Sequence, residues 1–259
     1  MPFVESQSGS GSPIGELIIQ LKGVTKQFSA QAPVILDNIS LDVRPGEFIS
    51  LLGASGCGKS TLLALLASLD HVTSGEIISG SKPALMFQEP ALLPWLTAQK
   101  NVELPMRLRG IPAKDRAEKA QELLKLVHLE RAVNQRPHEL SGGMRQRVAL
   151  ARALAQDSSI LLMDEPFAAL DAVTRDILHE ELIRVWQQTG VTVIFVTHNV
   201  REAVRLGQRV LLMSSRPGRI VREWAIDAPE PRRIEDENIS KLAGEITAEL
   251  RKEIRRHAN

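Results

Sequence analysis

The chain has 259 residues, room for one large domain or two small ones, and 43% hydrophobic with 24% charged residues gives the balance of an ordinary soluble core. No apolar stretch approaches the roughly 20 residues needed to cross a bilayer, and a net charge of +1 gives no electrostatic reason to expect a nucleic-acid partner. One cysteine, Cys57, excludes an intrachain disulfide and fits a reducing compartment.

Residues 1–15 (MPFVESQSGSGSPIG) are small and polar, which predicts disorder and no secretory leader. From Glu16 the pattern turns strand-like, at residues 17–21 (LIIQL), 34–36 (VIL) and 39–43 (ISLDV). Apolar–polar alternation over 39–43 predicts a half-exposed strand, antiparallel to its neighbour. Between the first two runs lies VTKQF, ending in Phe28, one of only nine aromatic residues in a chain without tyrosine.

Residues 48–52 (FISLL) read as a buried strand and 62–67 (LLALLA) as a helix. Between them Gly53, Ala54, Ser55, Gly56, Cys57, Gly58, Lys59, Ser60 and Thr61 spell GASGCGKST, which fits G-x-x-x-x-G-K-[ST]. Glycines let the backbone turn tightly so that several N–H groups point inward, and the helix start adds partial positive charge. A triphosphate suits that cradle. Lys59 can reach the β and γ phosphates, and the Ser60 hydroxyl can coordinate magnesium. A thiol among inward N–H groups beside Lys59 predicts a lowered pKa for Cys57, with alkylation that inhibits and a bound triphosphate that protects.

Residues 74–78 (SGEII) and 83–88 (PALMFQ) read as strands, the second ending at Gln88. From 91 to about 157 the character changes, with a helix from Lys114 carrying Ala117, Ala120, Leu124 and Val127 on one face. This reads as a helical insertion between strands of the core. Within it, Ser141, Gly142 and Gly143 open LSGGMRQR before a helical run, with Ser141 a good N-cap and the glycines allowing close backbone approach. A second anion-binding helix start, far from the first in sequence, invites a dimer in which the two face each other.

Residues 160–163 (ILLM) resume the sheet as a continuous apolar run and end in Asp164-Glu165. Such a run carries both carboxylates to a sheet edge, where Asp164 can hold magnesium beside Ser60 and Glu165 can polarise a water. A helix over about 173–188 follows, then a strand at 191–196 (VTVIFV) leading to Thr197-His198, a helix over 200–206, and strands at 209–213 and 220–225. Alternating strands and helices predict an α/β fold, a mostly parallel sheet wrapped by helices. After prolines at 229 and 231, Ile239, Leu242, Ile246, Leu250 and Ile254 mark an amphipathic helix, expected to pack on its own domain or against a second subunit.

LSGGMRQR is similar to the signature of ATP-binding cassette (ABC) ATPases, and the resemblance runs from about Leu17 to Ala225 in the family's order. The loop at 53–61 resembles its Walker A, Gln88 its Q-loop, residues 160–165 its Walker B, Ala169-Leu170-Asp171 its D-loop and His198 its switch histidine. Phe28 stands where the family places an aromatic side chain stacked on adenine. The resemblance implies a P-loop core with an N-terminal antiparallel β subdomain, and an ATPase domain over 16–228 with the helical part at 91–157 and a tail at 229–259. It also implies a head-to-tail dimer, each ATP lying between the 53–61 loop of one subunit and Ser141–Gly143 of the other. Glu165 is then the catalytic base, His198 touches the γ-phosphate, Asp171 belongs to the shared nucleotide site, and Gln88 links the magnesium site to the helical insertion.

FQEPALLPW at 87–95 and SRPGRI at 215–220 are similar to the nitrate, sulfonate and taurine importer subfamily. The expectation is a peripheral subunit on the cytoplasmic face of the cell membrane, working with separate permease subunits and a solute-binding protein. A soluble ABC ATPase acting on nucleic acid or ribosomes is the rival. Those relatives carry two cassettes or a long coiled-coil insertion, and neither is visible between Gln88 and Ser141.

Overall fold

Five parallel strands end along one edge of a six-stranded sheet, and that edge carries the 53–61 loop, Asp164-Glu165 and Thr197-His198. The computed structural model describes residues 17–228, 232 and 235–256, so the disorder expected for 1–15 and the prolines at 229 and 231 lie outside the described residues. The sheet order is β5 (Ala84–Met86), β6 (Ile160–Asp164), β7 (Thr192–Thr197), β3 (Phe48–Leu52), β8 (Arg209–Met213) and β9 (Ile220–Ala225). β9 alone runs antiparallel. β3 and β7 are buried throughout, and β6 is buried up to its final Asp164, as continuous apolar runs require.

Strand alternation sends neighbouring residues to opposite layers. Leu161, Met163, Val193, Phe195 and Phe48 join the core beneath α2 (Ala98–Leu108), α3 (Ala113–Leu126), α4 (Gly142–Leu154) and α5 (Ala172–Thr189). Ile160, Leu162, Ile194, Val196, Ile49 and Leu51 point the other way, towards α1 (Lys59–Leu66) and the second sheet. That sheet is antiparallel, in the order β2 (Val34–Val43), β1 (Ile19–Gln27), β4 (Ser74–Ser79).

Boundaries differ from the sequence expectation at three strands. Residues 34–36 and 39–43 are one strand, β2, because Asn38 takes φ 51°, a left-handed conformation asparagine tolerates, and carries the strand through the irregularity. β1 extends through Val24–Gln27 because Lys26 and Gln27 find partners in Leu36 and Val34. β5 stops at Met86, short of Gln88, where the chain leaves the sheet for the helical segment.

The terminal helix α7 (Glu237–Arg256) packs on its own domain, with Ile239, Ala243 and Ile246 buried among Val204, Val210, Leu212 and Trp224. Trp224 Nε1 donates to Glu245 Oε1 at 2.9 Å, which fixes the helix against β9. Ile254, the last apolar residue of the stripe, stays exposed. Among the described residues, no helix is long and apolar enough to cross a membrane.

Candidate nucleotide site

β3 delivers the chain into the 53–61 loop, and two glycines there are fixed by space and by backbone conformation. A Cβ on Gly53 would lie 2.7 Å from Cys57 Sγ. Gly58, the N-cap of α1, has φ 104°, and a Cβ on it would meet Leu36 Cδ2 at 2.7 Å. Lys59 opens the helix with its stem buried. Its Nζ donates to the carbonyls of Gly53 (2.9 Å) and Ala54 (3.1 Å), which curls the ammonium back over the loop.

β6 and β7 set the acidic side. In the register of these strands Asp164 pairs with Val196, so Asp164-Glu165 and Thr197-His198 leave the sheet next to each other. Glu165 turns with φ 43°, its N–H donating to Val196 O at 3.0 Å, and this aims the carboxylate along the sheet edge. Glu165 Oε2 lies 2.8 Å from His198 Nδ1, and Oε1 lies 3.6 Å from Lys59 Nζ. Burial pushes the Asp164 carboxyl above its ordinary pKa, and a hydrogen bond with Ser60 opposes part of that rise. Ser60 and Asp164 thus present adjacent hard oxygen donors. Among the described residues no group of three His, Cys, Asp or Glu side chains forms a metal cluster. Two oxygen donors fit magnesium, which keeps waters and substrate oxygens in its shell rather than needing an all-protein cage.

The expectation for Cys57 is corrected. The thiol is 2% exposed, and burial raises its pKa by more than the nearby Lys59 lowers it. The loop wraps it inward against the hydrophobic layer that holds Leu36 and Leu62, so its environment is apolar.

Phe28 is 63% exposed, with Lys26 Nζ standing 5.1 Å from the ring centroid. Lys26 is anchored by Asp70 Oδ1 (2.6 Å) and His71 O (2.7 Å). Gln88 is also exposed, and the contact it makes is through its backbone carbonyl, which accepts from Gln146 Nε2 at 2.8 Å. Arg152 donates to the carbonyls of Pro90 (2.6 Å) and Ala91 (2.7 Å). Gln146 and Arg152 both sit on α4, so the helix opened by Ser141 holds the segment that follows β5. Sequence reasoning assigned neither a role, although Gln146, buried among the apolar residues of α4, was a usable signal.

Ser141 caps α4, its Oγ accepting from Met144 N at 3.2 Å. A Cβ on Gly143 would lie 2.7 Å from Thr174 Cγ2, so this glycine also lets α4 approach the start of α5. Asp171 caps α5 by accepting from Thr174 N at 2.9 Å, which holds its carboxyl below the usual range. Among the described residues no hydrogen bond or ion pair joins Ser141–Gly143 to the 53–61 loop.

A lysine-bearing glycine loop at the end of a central parallel strand, with paired carboxylates leaving the sheet beside it, marks a P-loop nucleotide hydrolase. The antiparallel sheet on one layer and the helical segment between β5 and β6 narrow the class to ATP-binding cassettes. The chain belongs to the ABC transporter family, whose profile matches residues 36–168. It is an ATPase whose hydrolysis is coupled to transport. It is 40% identical to the aliphatic sulfonates import ATP-binding protein SsuB of Bacillus cereus over 240 residues, 89% of this chain and 94% of that one. It is 47% identical to the nitrate import ATP-binding protein NrtD of Synechocystis over 204 residues, 76% of this chain and 77% of that one. The dimeric post-hydrolysis structure of the ATP-binding cassette MJ0796 with ADP and Pi superposes with a TM-score of 0.70 at 36% identity, covering 82% of this chain and all of that one.

Proposed function

We propose that this chain is the motor subunit of an importer for a small anion of the nitrate, sulfonate or taurine kind. It works as a head-to-tail homodimer beneath separate permease subunits, on the cytoplasmic face of the membrane, with a solute-binding protein delivering the cargo. The names of the similar import proteins support the cargo class. The observation that carries the dimeric site is the separation just described. Lys59, Glu165 and His198 meet at one edge, while Ser141–Gly143, a capped helix start suited to an anion, has no described link to them.

In this reading the ATPase domain spans 16–228, its helical part 91–157, and the tail 229–259. The N–H groups of Ala54, Ser55, Gly56, Cys57, Gly58, Ser60 and Thr61 cradle the phosphates, Gly53 gives the turn, and Lys59 neutralises charge at the β and γ positions. Phe28 stacks on the base. Glu165 takes a proton from the attacking water, and His198 orients Glu165 and contacts the γ-phosphate. Ser60 and Asp164 would hold magnesium, with Gln88 beside them, and the ion supplies charge neutralisation on the phosphates when bound. Ser141, Gly142 and Gly143 of the partner close over the same nucleotide, with Asp171 at the seam.

Ser141→Arg tests the shared site. It should leave ATP binding to the single subunit unchanged while abolishing hydrolysis; wild-type turnover in this variant would overturn the reading.

A further inference from the structure

The seam between α5 and α6 (Val200–Leu206) is crossed by an ion pair that touches both loops of the site without reaching the nucleotide edge. Glu202 is 7% exposed, and its Oε2 accepts from Thr197 Oγ1 at 2.6 Å. Thr197 Oγ1 in turn accepts from Asn199 N at 3.0 Å, so this one hydroxyl brackets His198 from both sides. The other carboxylate oxygen of Glu202 faces Arg175 Nε at 3.5 Å. Arg175 donates to the carbonyls of Leu170 (2.5 Å, from Nη2) and Phe167 (3.3 Å, from Nε), which lie in the turn between Glu165 and Asp171.

We propose that Arg175 and Glu202 form a positioning strut, joining the carbonyls of Phe167 and Leu170 to Thr197 and so holding the Glu165 turn and the His198 loop in register. This rests on the reading that Glu165 and His198 carry the chemistry. Neither strut residue touches the reacting atoms; each acts through a loop that does. On the inner side Phe167 packs against Phe195 (ring centroids 6.0 Å apart) and His179 (5.5 Å), whereas the outer side of the strut opens on a cavity of about 600 Å³ lined by Asp176, His179, Asn199 and Arg205 as well as by the pair itself, so on that side the polar pair alone joins the two loops. A small shift of either loop would lengthen the 2.8 Å contact between His198 and Glu165, and displacements of about 1 Å in a catalytic array cost up to about 100-fold in rate.

The same seam supplies a control. Arg205 bridges Asp176 (2.7 Å) and Glu180 (3.1 Å) across α5 and α6, but both carboxylates are largely exposed and neither loop is involved. Steady-state ATPase assays on the full chain should show kcat of Glu202→Gln reduced about tenfold or more, with KM for ATP within about twofold of wild type. Its thermal midpoint should be no lower than that of Arg205→Ala, which should keep wild-type kcat. Thr197→Val removes the hydroxyl and should reproduce the kcat loss, and the double variant Thr197→Val/Glu202→Gln should be no worse than the weaker single, as members of one linkage behave. A kcat for Glu202→Gln within about twofold of wild type, equal losses in Arg205→Ala, or additive losses in the double variant would each overturn the strut. Glu165→Gln run alongside separates the two levels. If it is inactive while Glu202→Gln is normal, only the strut falls; if it turns over normally, the site reading and the strut fall together.

Discussion

Glu165 and His198 directly follow two strands adjacent in the sheet, lie 33 residues apart in sequence, and meet through their side chains at 2.8 Å. The other oxygen of Glu165 lies 3.6 Å from Lys59 Nζ, so one carboxylate spans the histidine loop and the phosphate loop. Replacing it by glutamine keeps the shape and removes the proposed base. Glu165→Gln should bind ATP with unchanged affinity, lose about 10²–10⁴-fold in kcat, and accumulate as an ATP-held dimer in size-exclusion chromatography. Unaltered steady-state hydrolysis would refute the role of Glu165.

Phe28 contributes little to the core, since most of its ring is open to solvent. Phe28→Ala should therefore leave the thermal midpoint unchanged while weakening ATP binding by about 1 kcal/mol, roughly fivefold in Kd. Nucleotide titration by calorimetry reads both numbers' consequence directly: an unchanged Kd would mean that the base stacks elsewhere.

Gly58→Ala places a methyl group into a left-handed residue whose Cβ position is 2.7 Å from Leu36 Cδ2. The strain should lower stability by about 1–3 kcal/mol in urea unfolding. The nucleotide affinity should drop as well, because the displaced loop no longer aims its N–H groups together. Wild-type stability would show that β2 yields at Leu36.

His179 gives a pH signature. It is 2% exposed, and burial first, then the charge of Arg205, lowers its pKa from the ordinary 6.5 to about 4. The unfolded chain takes up this proton below about pH 6.5 and the folded chain only near pH 4, so the unfolded state binds more protons within that window. The contribution is fully present above pH 6.5 and lost as pH falls towards 4, a total of about 3 kcal/mol at 1.36 kcal/mol per unit. Chemical denaturation between pH 7 and 4 should show that decline, and His179→Gln should flatten it. Parallel curves for the two proteins would count against the assignment.

Cys57 has a raised pKa, so its thiolate is scarcer at neutral pH than that of a free cysteine. Alkylation of the native protein by iodoacetamide at pH 7 should be slower than that of glutathione, and unfolding in urea should bring the rates together. Native labelling as fast as the free thiol would restore the reactive-cysteine expectation.

Much of the site was legible in one dimension because its parts are local. A phosphate loop needs its glycines, lysine and serine within nine residues, 53–61, and ILLM before Asp164 forces those carboxylates to the end of a buried strand. The parallel core and the helical segment followed from the alternation of buried runs with helical periods. Asn38 was not legible: a strand of ten residues reads as two when its irregularity falls on a polar residue able to take positive φ. Cys57 was misread for a related reason. Its sequence neighbours are Gly58 and Lys59, but its spatial neighbours are the apolar side chains that bury it, and burial outweighs one nearby cation. Gln146 and Arg152 gain their partners only when distant segments are brought together, and Arg175 meets Glu202 only once α5 and α6 pack, although each of these two also bonds within its own loop. The sequence by itself determined where the phosphate loop and the paired carboxylates stand in the chain, because those motifs are continuous in it; only the tertiary structure decided what holds them in place and how each is solvated, because burial and long-range hydrogen bonds exist only once the strands have paired.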